Sequence, residues 1–153
     1  MKIIDAISAI LKREEVEFLS TYPTTPLIDA AAAVGIRPIL CRQERVGVGI
    51  ADGFTRISNG KRIGVFAMQY GPGAENAFSG VATAYSDSVP ILILPLGHQR
   101  DRAQVFPLFS SARTYASITK SVETLNQAHQ VAEEMRRAIN LLKMGRPGPV
   151  MVE

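Results

Sequence analysis

The sequence is short of several features that define whole classes of protein. Among 153 residues there is a single cysteine, Cys41, which excludes a disulfide framework and any zinc cluster built mainly of thiolates. No apolar run approaches the roughly 18 residues of a membrane span. Asp5 interrupts the apolar start at once, so no signal peptide is expected there and a cytoplasmic protein is. Charge of one sign is also scarce. Seventeen basic residues stand against 14 acidic ones, and the basic residues fall as isolated doublets at Lys12-Arg13, Lys61-Arg62 and Arg136-Arg137. Without a basic stripe, or aromatics interleaved with one, neither nucleic acid nor a membrane is expected as a partner. No repeat, low-complexity tract, polar linker, nucleophile elbow, metal-ligand cluster or paired-carboxylate site is visible.

What remains is an ordinary globular composition, 46% hydrophobic. A chain of this length buries roughly 70% of its unfolded surface, enough for one core and too short for two full-sized domains. One domain over residues 1–153 is the expectation.

Two periodicities alternate along it. Ile3, Ile4, Ile7, Ile10 and Leu11 share a helical face, and residues 16–19 read as a short strand. Thr25-Pro26 opens a helix that runs through the alanines to Val34 and ends at Gly35. Residues 38–41 are strand-like, and 44–58 are helical despite Gly47, Gly49 and Gly53. Each such glycine costs about 1 kcal/mol relative to alanine, which predicts that something packs closely against that helix. A buried strand is expected over 63–68, a helix over 74–85 after the Gly71-Pro72-Gly73 break, and a strand over 91–94. Asn126 is read as the cap of a last amphipathic helix carrying Val131, Met135, Ile139 and Leu142, and Val150-Met151-Val152 as a final strand. Strands joined through helices predict an α/β fold of three layers, α/β/α, around a mainly parallel sheet of roughly six strands. In such sheets ligands gather beyond the carboxyl ends of the strands, which directs attention to loops 20–25, 42–44, 69–76 and 97–109.

Within these loops the candidate groups are few. Glu44 follows a strand and opens a helix, where the helix dipole favours a carboxylate; an ordinary exposed first-turn acid would look the same. Gly71-Pro72-Gly73 before a helix resembles an anion-binding turn, although no Walker lysine follows. His98 stands just after a strand end, placed for acid–base work or for a structural hydrogen bond. His129 reads as solvated, and Cys41 as core packing.

Tyr22-Pro23, Arg42-Gln43-Glu44 leading into Ala51-Asp52-Gly53-Phe54-Thr55-Arg56, Gly71-Pro72-Gly73-Ala74 with Asn76, Ala84-Tyr85-Ser86-Asp87-Ser88-Val89-Pro90, and Gly145-Arg146-Pro147-Gly148-Pro149-Val150 occur in that order. With them the chain resembles the amino-terminal, pyrimidine-binding domain of thiamine diphosphate enzymes related to acetohydroxyacid synthase, over its whole length. The resemblance implies that Glu44 hydrogen-bonds the N1′ nitrogen of the aminopyrimidine and favours the tautomer that removes the thiazolium proton. Such a carboxyl group needs a water-poor pocket. It further implies that Pro23 and Asn76 sit beside the pyrimidine, that Gly71, Pro72 and Gly73 shape the pocket, and that Phe106, with His98 nearby, lines the substrate side.

Two departures from the synthase pattern fall in these loops. Pro107 stands where the synthases carry glutamine, and Gln69-Tyr70 replaces the small hydroxyl residues usual before the glycine turn. A related decarboxylase, lyase or carboligase is therefore as much implied as acetolactate synthesis. The family's Gly-Asp-Gly element with its later asparagine, which holds the diphosphate through Mg²⁺, is missing from the chain; Ala51-Asp52-Gly53 belongs to another motif. The resemblance thus implies no metal ligands here, weak cofactor binding by this chain alone, and a diphosphate-binding domain either in the same longer polypeptide or in a separate subunit, within a homodimer. A non-catalytic dimerisation or regulatory module of the same fold is the alternative.

Overall fold

The structure, a computed structural model, describes residues 2–103 and 105–153. Six strands form one sheet in the order β2-β1-β3-β4-β6-β5, and every adjacent pair is parallel. The strands are β1 (Phe18–Thr21), β2 (Arg37–Leu40), β3 (Gly64–Met68), β4 (Ile91–Pro95), β5 (Val122–Glu123) and β6 (Val150–Val152). The helices are α1 (Ile3–Arg13), α2 (Leu27–Ala33), α3 (Glu44–Ile57), α4 (Pro72–Ser86), α5 (Ser111–Tyr115) and α6 (Val131–Lys143).

Side chains alternate across each strand, so the sheet divides the interior into two cores. Val65 and Ala67 of β3, Leu92 and Leu94 of β4, and Val150 and Val152 of β6 face α1, α2 and α6. Phe66 and Met68, Ile91 and Ile93, and Met151 face α3, α4 and α5. β3 and β4 are buried along their whole length, as strands covered on both faces must be. This is the three-layer α/β/α architecture expected from the alternating periods. No helix among the described residues is long and apolar enough to cross a membrane.

Several boundaries differ from the expectations, each for a local reason. β1 begins at Phe18 rather than Val16 because the chain is still closing α1. Glu15 adopts φ 58°, and the Val16 N–H donates back to the Leu11 carbonyl at 3.0 Å, the left-handed termination that follows many helices. β2 runs one residue earlier than expected, with Arg37 opposite Phe18. α2 starts one residue later than expected, with Pro26 rather than Thr25 at its N-cap, although the Thr25 hydroxyl still accepts from the Leu27 N–H at 3.3 Å. Asn126 does not cap the last helix. A short 3-10 turn, Ala128–Gln130, precedes α6 and starts at Gln127, whose N–H donates to the Gln130 side chain at 3.1 Å; the Asn126 carbonyl instead accepts from the Arg100 guanidinium. Neither α5 nor β5 was legible, because five and two residues are too few to establish a period.

The glycines of α3 divide. At Gly47 an added Cβ would lie 2.2 Å from Phe66 Cε2 and 2.8 Å from Cys41 Sγ, so this glycine is what lets the helix rest on β3. Gly49 and Gly53 meet nothing within 4 Å, so among the described residues the close neighbour expected for all three exists only at Gly47.

Candidate active site

The strand order reverses between β1 and β3. The chain passes from β1 through α2 to β2 on one side, then crosses through α3 on the other face to reach β3. Crossovers thus leave in opposite directions from this point, opening a crevice above the carboxyl ends of β1 and β3 where ligands of open α/β sheets sit. The Thr21 hydroxyl, at the end of β1, donates to the Ala67 carbonyl at 3.0 Å and pins the two strands together beneath the crevice.

Three loops meet there. After β1 the chain turns tightly at Pro23, with the Thr24 N–H donating to the Tyr22 carbonyl at 2.7 Å, and Pro23 itself is exposed. After β2, Arg42-Gln43 leads into Glu44, the first residue of α3. After β3, Gly71 takes φ 57° and Pro72 opens α4. That positive φ is natural for glycine and strained for other residues, and proline at the first helical position loses no helical hydrogen bond. Two helix amino termini therefore face the same crevice.

Glu44 is buried, 5% exposed. Its Oε2 accepts from Asn76 Nδ2 at 2.6 Å, and its Oε1 lies 3.4 Å from where a Cβ on Gly73 would stand. Among the described residues no Lys, Arg or His forms an ion pair with it. Burial of a carboxylate without a cationic partner is costly unless hydrogen bonds or a ligand compensate. Cys41 lies close by with its Sγ donating to the Thr21 carbonyl at 3.3 Å. Burial pushes its thiol above the usual range, and the Glu44 charge adds to the shift, so the cysteine is the inert core residue its apolar strand suggested.

The loops after β3 and β4 adjoin because these strands pair. The Tyr70 and His98 rings pack there at a tilt of 46° with centroids 4.8 Å apart, and His98 Nε2 lies 3.0 Å from the Phe109 carbonyl. A carbonyl only accepts, so in this contact Nε2 is the nitrogen bearing the N–H. Phe106 stands 93% exposed in the loop between β4 and α5. The structure thus brings Glu44, Asn76 and Gly73 together and His98 against Tyr70, while Pro23 and Phe106 are exposed in the loops after β1 and β4. His129 is exposed on the 3-10 turn before α6.

Gln69 and Tyr70, noted in the sequence only as departures from the synthase pattern, both make contacts here: Gln69 places its Cγ 2.6 Å from the same point above Gly73, and Tyr70 packs against His98. Sequence reasoning passed over one contributor. Tyr115 is fully buried, and its hydroxyl donates to the Ala74 carbonyl at 2.6 Å, holding the first turn of α4. No periodic pattern pointed to it.

Comparison with known proteins identifies the family. Residues 1–132 match the family described as thiamine pyrophosphate enzyme, N-terminal TPP binding domain. The acetolactate synthase large subunit of Haemophilus influenzae is 34% identical over 154 residues, covering 94% of this chain and 26% of the relative. That of Lactococcus lactis subsp. lactis is 36% identical over 152 residues, with 94% and 26% covered. The chloroplastic acetolactate synthase of Arabidopsis thaliana is 34% identical over 158 residues, with 97% and 23% covered. The chain thus spans about a quarter of the length of these relatives. By its motifs, its parallel sheet and this match, the chain belongs to the thiamine pyrophosphate enzyme family, as an N-terminal TPP binding domain.

Proposed function

We propose that this chain is the pyrimidine-binding part of an acetolactate synthase-like enzyme, a carboligase, decarboxylase or lyase acting on a 2-oxo acid or related substrate, and that Glu44 shares a proton with the N1′ nitrogen of its cofactor. The observation that carries the reading is Glu44 itself: a buried carboxylate at the switch point, with an amide on one oxygen and no cationic partner among the described residues. An ion pair would have given it a purely structural reason to be there. Its environment suits a weakly basic ring nitrogen, which needs a proton-sharing partner shielded from water.

Thiamine diphosphate, when bound, supplies the electron sink for making or breaking a bond beside a carbonyl carbon. The chain's own part is to hold and orient. Glu44 keeps the proton at one carboxyl oxygen, Pro23 and Asn76 border the ring, and the turn through Gly71, Pro72 and Gly73 shapes the pocket with main chain rather than side chains. His98 and Phe106 belong to the substrate side. A hard cation on a diphosphate takes several oxygen ligands, and the reading assigns that site, with Mg²⁺, to another domain of the same polypeptide or to a separate subunit. The complete enzyme is read as a cytoplasmic homodimer.

Calorimetry with thiamine diphosphate and Mg²⁺ on the complete enzyme, wild type and Glu44→Gln, tests this. The expected result is cofactor binding by both proteins, with turnover lowered about a hundredfold or more in the variant. Turnover at the wild-type rate by Glu44→Gln would overturn the assignment. No cofactor binding by the complete assembly would favour the non-catalytic module.

A further inference from the structure

The resemblance sets Asn76 beside the ring, and the geometry gives it more particular work. We infer that Asn76 is a positioning residue for Glu44: its amide holds Oε2, fixes the carboxylate plane and leaves Oε1 as the oxygen that exchanges the proton. This rests on the reading of Glu44 given above.

The two side chains come from α3 and α4, 32 residues apart in sequence, and meet at 2.6 Å. That is as short as hydrogen bonds to a charged acceptor become. The donor must be Nδ2, because Oδ1 would oppose two acceptors. A glutamate on the first turn of a helix has three side-chain torsions to fix, and among the described residues this bond is its one hydrogen-bonded tether. The other oxygen has different surroundings. Oε1 faces the bare α-carbon of Gly73, whose added Cβ would stand 3.4 Å away, and Gln69 Cγ flanks the same point. One oxygen is therefore hydrogen-bonded, while the other has no hydrogen bond among the described residues.

Asparagine suits this task chemically. A lysine or arginine would neutralise the carboxylate, whereas an amide orients it and leaves its charge to be matched by the ligand. The amide is itself anchored, since α4 is held at its start by the bond from Tyr115 to the Ala74 carbonyl.

The test uses isotope-edited infrared spectroscopy of the complete enzyme, with Glu44→Gln identifying the Glu44 carboxylate stretches, alongside steady-state kinetics. In Asn76→Leu, of similar size without the amide, the splitting of those stretches changes and kcat falls about tenfold or more, while KM and cofactor affinity stay within about threefold. Asn76→Asp, which opposes two carboxylates, lowers kcat further. Should Asn76→Leu fail to fold, Asn76→Ser supplies the same comparison. Unmoved stretches with unchanged kcat overturn the inference, as do unmoved stretches with cofactor affinity lost in step with activity, which would make Asn76 a direct ligand of the ring. Wild-type turnover by Glu44→Gln would instead remove the role of Glu44 itself.

Discussion

The Ser20 hydroxyl donates to the Gly47 carbonyl across 2.8 Å, tying the middle of β1 to the first turn of α3 in the fully buried interior. This bond and the contact of Gly47 with Phe66 together set how low α3 lies on the sheet, and so where Glu44, three residues earlier, is presented. Ser20→Ala removes one buried donor, and a loss of about 1 kcal/mol is expected in denaturant unfolding.

Gly47→Ala and Gly49→Ala should behave oppositely. At Gly47 the added carbon runs into the Phe66 ring, and overpacking of this kind costs about 1–3 kcal/mol. At Gly49 the space is open, so alanine gains about 1 kcal/mol of helix propensity. Thermal unfolding of the two variants checks the contrast; equal destabilisation would mean that α3 does not lie on β3 in this way.

Tyr115→Phe deletes a phenol that burial pushes above its ordinary titration range and whose partner is the Ala74 carbonyl. A loss of about 1–2 kcal/mol is expected. Because the bond anchors the first turn of α4, hydrogen exchange of that turn should also rise relative to β4.

Acid should weaken the β5 edge. Burial pushes the Glu123 carboxyl up, but its hydrogen bonds from Arg137 and Ser121 outweigh this and hold it below the ordinary 4.5. A carboxyl whose folded-state value is depressed contributes stability above the unfolded value, and loses it as pH falls through the folded one. Stability should therefore decline below about pH 4.5, and Arg137→Met should flatten that part of the pH–stability curve. An identical acid dependence in the variant would show that the pair is energetically silent.

Arg56 bridges Asp52, at 2.6 Å, and Asp87, at 2.7 Å, joining α3 to the end of α4. Both acids hold the guanidinium firmly charged, but all three groups meet solvent, so Arg56→Ala should cost no more than about 1 kcal/mol at low salt and less at high salt.

The fold was largely legible because its strongest signals are local. Ile3, Ile7 and Leu11 repeat at helical spacing, and the apolar run of β4 is too short for anything but a covered strand. What escaped lies where structure is set by distant contacts. α5 exists because Tyr115 reaches into the core beside α4, and β5 because Glu123 pairs with Val152. Neither contact leaves a period in the sequence. At the candidate site, Glu44, Pro23, Asn76 and the glycine turn stood out as motifs, whereas the bond between Glu44 and Asn76 did not, since only the strand order brings α3 and α4 together. The three glycines of α3 looked alike in sequence, and it took Phe66 to distinguish Gly47 from the other two.

The crevice also separates what the protein must keep from what it can change. Its floor is made by paired strands and the Thr21 hydroxyl, beneath residues that carry folding energy. Tyr70, Phe106 and Pro107, in the loops after β3 and β4, are all exposed, where substitutions typically alter stability by no more than about 0.5 kcal/mol. Two of the departures from the synthase pattern, Tyr70 and Pro107, are among them. Such residues can therefore be exchanged one at a time without the protein first acquiring spare stability elsewhere.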